Sequence, residues 1–104
     1  MPRRGEVWLV DLGLAQKIRP ALIFSTAYSD ADRALITVIS HTTKIRGSKF
    51  ELPVCAPFLK PGAFVVQSVT TIPAKLALRR LGALSAEELK AIKMAFDIGW
   101  LCSK

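Results

Sequence analysis

Thr37-Val-Ile-Ser-His-Thr-Thr-Lys-Ile-Arg-Gly-Ser-Lys-Phe-Glu-Leu-Pro53 continues a β-branched, apolar run that begins at Leu35. The run ends in two adjacent hydroxyls, Thr42 and Thr43. A basic, glycine-containing segment with Lys44, Arg46 and Lys49 follows, and apolar character resumes at Phe50. A strand that delivers hydroxyls into a cluster of cations suits the binding of a phosphate. The same pattern also describes an ordinary solvated hairpin.

Working outward, the neighbouring segments are of the same kind. Glu6–Leu12 reads as a strand bounded by Gly5 and Gly13. Its alternation sets Val7, Leu9 and Asp11 on one face and Trp8, Val10 and Leu12 on the other. Apolar residues on both faces suggest a strand covered on two sides, as in a small closed barrel. Leu14–Ile18 reads as a short loop whose one charge is Lys17. Arg19-Pro20 then opens a second strand, Ala21–Ser25, and the proline holds Arg19 in extended geometry at the strand mouth. Ala27–Arg33 is a polar turn or loop.

Beyond the opening stretch, Phe50–Val54 is a short strand that Pro53 marks as an edge or an end, and Cys55–Gly62 is a connecting loop with two prolines. Ala63–Ile72 is a further β-type run, and Lys75–Leu81 is a short strand or a helical turn. Ser85-Ala-Glu-Glu88 is a capping box, so a helix should run from there to about Leu101. Leu89, Ile92, Phe96 and Trp100 form one stripe at helical spacing, fit for packing on the sheet. Met94, Ile98 and Leu101 widen that apolar surface, by burial or at a subunit contact.

The chain has 104 residues, which suits a single domain over 1–104, large enough for its own core but not for two. Hydrophobic residues make up 51% and charged residues 22%, the balance of a folded globule. No apolar run is long enough to span a bilayer, and no secretory signal is legible, so a cytoplasmic, non-membrane protein is expected. Cys55 and Cys102 lack metal-ligand spacing, and two reduced thiols are expected. The formal charge of +7 favours an anionic partner, either a nucleic acid or an acidic protein. Twelve of the fifteen basic residues, against five of the eight acidic ones, precede Ala83, so the anion-binding surface should lie there.

Taken in order, Arg4-Gly-Glu-Val-Trp-Leu-Val-Asp11, Arg19-Pro-Ala-Leu-Ile23, Thr42-Thr43 with Gly47, and Phe50-Glu51 resemble the MazF/PemK (Kid) family of type II toxin–antitoxin toxins. Gln67, Leu81-Gly-Ala-Leu-Ser85 and the C-terminal helix extend the likeness over nearly the whole chain. The resemblance implies a mainly β protein, a small SH3-like β-barrel with a C-terminal α-helix, working as a homodimer. It implies a metal-independent endoribonuclease without cofactor that cuts single-stranded RNA, often mRNA, at short sequences. It also implies an antitoxin with an acidic, disordered segment competing for the same groove. By position, Arg19 matches the family's Arg-Pro arginine, Thr42 its active-site threonine, Glu6 the acidic residue after the N-terminal glycine, and Gln67 a glutamine of the later strand. Lys17, Thr43, Lys44, Arg46, Lys49 and Gln67 are the expected RNA contacts.

RNA is cut without metal when its 2′-OH attacks the adjacent phosphorus, which needs in-line geometry, relief of charge and two proton transfers. An arginine keeps its proton, so Arg19 is suited to bidentate charge stabilisation, while the Thr42 hydroxyl can donate to a phosphate oxygen. The base is less plain. Where the family usually has an acidic residue before the glutamine, this chain has Val66, and where the Kid-type branch has an arginine, it has Phe64. Glu6 is then the candidate base. His41 is the sole histidine, but strand alternation turns it away from Thr42. Trp8 and Phe50 are read as core residues before base-stacking ones. Two other functions fit the same composition: a non-catalytic toxin of this fold gripping a protein such as DNA gyrase, and a single-stranded RNA-binding barrel without chemistry.

Overall fold

A computed structural model describes residues 2–13, 17–25, 34–44, 46–47, 50–54 and 56–102, and the side chains of 97–102 lie outside that description. The elements are β1 (Glu6–Asp11), β2 (Ile18–Ile23), β3 (Leu35–Thr42), β4 (Glu51–Pro53), β5 (Ala63–Pro73), β6 (Ala77–Ala83) and α1 (Ala86–Cys102), with a 3₁₀ turn at Ala74–Leu76. All strand pairings are antiparallel, in the order β4-β5-β3-β2-β1-β6. The fold is thus mainly β with one C-terminal helix, as expected. Among the described residues the sheet stays open, with β4 and β6 as its edges, rather than closing on itself.

Register explains the two-sided burial. Val7 pairs with Leu22, and Leu22 with Ile39, so these three share a face. With Phe64, Val66 and Ile92 they form one core cluster. Val10, Ala21, Ile23, Val38, Ile36 and Ile72 form a second on the opposite face, covered in part by Trp8, Leu12, Leu76 and Ala77. Helix α1 closes the first cluster with Leu89, Ile92 and Phe96. Ile92 is fully buried, worth about 1.5–3 kcal/mol as a side chain of this size. Met94, by contrast, is exposed. The side chains of Ile98, Trp100 and Leu101 lie outside the description.

The capping box forms as read. The Ser85 N–H donates to Glu88 Oε1 at 2.9 Å, and the Glu88 N–H donates to Ser85 Oγ at 3.1 Å. The 75–81 segment resolves into both readings, a 3₁₀ turn followed by β6. Strand β2 begins at Ile18, three residues before the expected Ala21, because β1 keeps pairing as far as Asp11↔Ile18. Pro20 sits inside that ladder. The Ala27–Arg33 loop, Cys55 and Lys49 lie outside the described residues.

One irregularity shapes the molecule. Ile39 pairs with Val69 but His41 pairs with Phe64, so four residues of β5, Val65 to Ser68, stand against the single Ser40 of β3. Val66 and Val69, three apart, both reach the first core cluster, which a regular strand forbids. The strand therefore bulges at Gln67 and Ser68, while its Val65 end is taken up by β4 through Glu51↔Val65.

Candidate active site

The sheet delivers Arg19 and Thr42 to one place. The β2–β3 pairing runs to Ala21↔Ser40, and Arg19 and Thr42, each two residues further along its strand, line the same concavities. Two concavities open on either side of this pair, and both are lined by Arg19, His41, Thr42 and Lys44. One, of about 540 Å³, is largely apolar, with Leu9, Pro20, Phe58, Leu59 and Leu81, and with Thr43 and Lys60 beside the shared residues. The other, of about 510 Å³, is polar, with Ser40, Arg46, Glu51, Val65, Gln67 and Ser68. Arg19 and Thr42 form the ridge between them.

The Thr42 hydroxyl is held for donation outward. Its oxygen accepts the Lys44 N–H at 3.1 Å, which ties it into the turn after β3. Its own proton reaches the Lys44 carbonyl oxygen only across 3.5 Å. A phosphate oxygen at ordinary distance is a better acceptor than that long contact. The turn is packed against Gly62: a Cβ built there would stand 2.1 Å from the Thr42 carbonyl oxygen. Only a glycine leaves room for it.

Of the expected RNA contacts, Thr43, Lys44, Arg46 and Gln67 line one or both concavities. Lys17 does not; it is an exposed turn residue with a φ of 57° whose carbonyl accepts the Leu12 N–H. Lys49 is not among the described residues.

Glu6, expected as the base, is not brought to Arg19 and Thr42. It lies four residues along β1 from Val10, the partner of Arg19, or roughly 13 Å at strand rise. Its carboxylate is also engaged: it accepts the Arg3 N–H at 2.8 Å, Trp8 Nε1–H at 3.1 Å and Arg80 Nε–H at 2.8 Å. Partial burial pushes its pKa up, but these donors more than offset it and leave the pKa below the usual range. That is the arrangement of a carboxylate fastening the N-terminus and β1 to β6, not of a base. The same bond occupies the Trp8 indole, which rests against the second core cluster.

His41 is buried, yet it lines both concavities together with Arg19 and Thr42, which alternation alone did not suggest. Its ring meets Phe64 edge-on at 5.1 Å, and Nε2 has no hydrogen-bond partner. Burial holds its pKa below the ordinary histidine value, so it is neutral at neutral pH. Phe64 and Val66 are also core residues, so the positions where the family resemblance calls for charge are spent here on packing. Among the described residues, no three of His, Cys, Asp and Glu gather as a metal site would need.

Three residues beside the pair were not singled out from the sequence. Glu51 was legible in principle, because Phe50 and Leu52 both turn to the core and alternation sends Glu51 outward. Its carboxylate accepts the Arg46 N–H through both oxygens at 3.0 Å. Ser40 lies under the polar concavity with an unpartnered hydroxyl. Lys60 comes from a proline-flanked loop with no periodic signal to place it.

Comparison with known proteins gives the same direction. A family profile described as PemK-like, MazF-like toxin of type II toxin–antitoxin system matches residues 3–99. The probable endoribonuclease MazF5 of Mycobacterium tuberculosis is 30% identical over 109 residues, covering 100% of this chain and 97% of that protein. The structure of the M. tuberculosis toxin MazF-mt6 superposes with a TM-score of 0.78 at 27% identity, over 91% of this chain and 95% of that one. A mycobacterial endoribonuclease solved in complex with its cognate antitoxin shares the fold, with a TM-score of 0.82 at 21% identity over 96% and 95% of the two chains.

Proposed function

The chain belongs to the PemK-like, MazF-like family of type II toxin–antitoxin toxins, and on that premise we propose that it is a metal-independent endoribonuclease acting on single-stranded RNA. The single observation behind this reading is the meeting of Arg19 and Thr42 on the ridge between two cation-rimmed concavities. A phosphodiester on that ridge has its neighbouring nucleotides directed into the two hollows. The name of the MazF5 relative, a probable endoribonuclease, agrees with this.

In the proposed reaction the 2′-OH attacks the adjacent phosphorus. The bond to the 5′-oxygen breaks, leaving a 2′,3′-cyclic phosphate and a 5′-OH. Arg19 grips two non-bridging oxygens with its fork of donors as charge accumulates there. Thr42 donates one hydrogen bond and fixes the in-line angle. Glu51, the carboxylate lining the polar concavity, takes the proton of the 2′-OH, and the leaving 5′-oxygen takes up a proton from water. Thr43, Lys44, Arg46 and Lys60 hold the flanking phosphates, a contribution that weakens as salt rises.

As a family toxin the protein works against an antitoxin, and an acidic, extended segment suits the same basic hollows. We assign it to the cytoplasm, where mRNA is found; no described helix is long and apolar enough to cross a membrane. Exposed Ile18, Leu35 and Leu78 on strands of the open sheet are the surface for the partner subunit of a homodimer.

The test is purified protein with an RNA pool in EDTA. Cleavage with cyclic-phosphate ends supports the reading. Binding without cutting returns the protein to the non-catalytic RNA-binding alternative, and neither result returns it to a protein-targeting toxin.

A further inference from the structure

Resting on the nuclease reading, we propose that the two concavities divide the work of recognition: Gln67 reads the base on one side of the scissile phosphate, and the apolar hollow holds the other neighbour by shape without reading it.

The polar concavity has groups fit to read. Gln67 is exposed at the bulge of β5, the one place where that strand turns a polar pair, Gln67 and Ser68, out of the ladder. A glutamine amide presents a donor and an acceptor side by side, the complement of a base edge. Beneath it, Ser40 is 7% exposed and its hydroxyl is unpartnered. Rotation about χ1 moves only that hydroxyl, so it can swing to a ligand without disturbing the core.

In the apolar concavity the polar side chains beside the Arg19–Thr42 pair, Thr43, Lys44 and Lys60, are those assigned above to phosphates. Its floor is Leu9, Pro20, Phe58, Leu59 and Leu81. His41 also lines it, with Nε2 unpartnered, but this ring is fixed. Phe64 packs on it at 5.1 Å, and its Cε1 lies 2.7 Å from where a Cβ on Gly62 would stand. Phe58 lies across Gly82, where its ring atoms come within 2.5 Å of a built Cβ, so the aromatic is held as a rigid wall. Apolar pockets discriminate weakly between flat ligands, whereas sites built to hydrogen-bond reject the ligand that fails to pair. Both volumes fall in the usual range for sites that engulf small organic groups.

The experiment uses the full chain with an RNA library randomised on both sides of the cut, the products being sequenced. Wild type should show a preference of about tenfold or more at one flanking position, the size expected of a good amide–base pair, and a weak one at the other. Gln67→Ala should flatten the strong position. Phe58→Leu, which keeps an apolar wall over Gly82, should slow all substrates alike and leave the preference intact. Strong preferences on both sides in wild type, an unchanged preference in Gln67→Ala, or a changed one in Phe58→Leu would each overturn the division. If wild type cuts no RNA at all, the nuclease reading itself is lost, a different failure from any of these.

Discussion

The backbone of Gly62 lies so close to β3 that a Cβ on it would sit 2.1 Å from the Thr42 carbonyl oxygen. This approach fixes where the Thr42 hydroxyl stands. Gly62→Ala must therefore push the end of β3 aside, at a cost of about 1–3 kcal/mol for overpacking. We expect a lower Tm and a fall in kcat larger than the loss of folded protein explains. Thermal unfolding alongside single-turnover cleavage separates the two effects. A variant with normal kcat would show that the contact does not position the hydroxyl.

Arg19 supplies the charge stabilisation. Removing one preorganised donor of this kind costs about 10²–10³ in kcat, so Arg19→Ala should fall by that much with little change in Tm. Arg19→Lys keeps the charge but loses the planar fork, and should recover only part of the rate. Lys44→Ala and Lys60→Ala should act on KM instead, and should flatten its rise with salt because each removes a phosphate contact.

Two glutamates give opposite expectations. Glu51→Gln keeps an oxygen for the Arg46 N–H, so the fold should hold while kcat drops by about 10²–10⁴. Glu6→Gln should leave kcat near wild type and lower stability by about 1–2 kcal/mol, since its ion pair with a half-exposed Arg80 is partly screened. The sign with pH follows from the lowered pKa of Glu6. Its contribution is complete above the ordinary glutamate pKa and is lost as acid takes the pH down through the lower, folded value. The stability gap between wild type and Glu6→Gln should close there. An equal loss of kcat in both variants would return Glu6 to the chemistry.

Much of this was legible in local pattern. The capping box of Ser85 and Glu88, the alternation of Val7 against Val10, and the strand leading to Thr42 are short-range features, and all formed as read. The placing of Glu6 was not, because its neighbours Arg80 and Trp8 are assembled by the β1–β6 pairing, 74 residues apart in the case of Arg80. Gln67 matched by position, yet its outward aim depends on a bulge that no local propensity announces. Arg19 and Thr42 were legible as candidates one at a time. Their meeting is a matter of register between strands separated by a long loop, which alternation alone cannot fix.

His41 offers the last prediction. Buried and unpartnered, it is more readily protonated in the unfolded chain than in the folded one. Its contribution to stability is then complete above the unfolded pKa, about 6.5, and declines as the pH falls from there toward the lower folded value. Wild type should lose Tm as the pH falls below about 6.5, and His41→Gln should lose less over the same range. Cleavage should respond differently, because the ring is packed edge-on against Phe64 and its Nε2 is buried, although it borders both concavities. The pH–rate profile of His41→Gln should keep the shape of the wild-type curve, with kcat within about tenfold. An inflection near neutrality that disappears in His41→Gln would make the imidazole the base and displace Glu51 from that role.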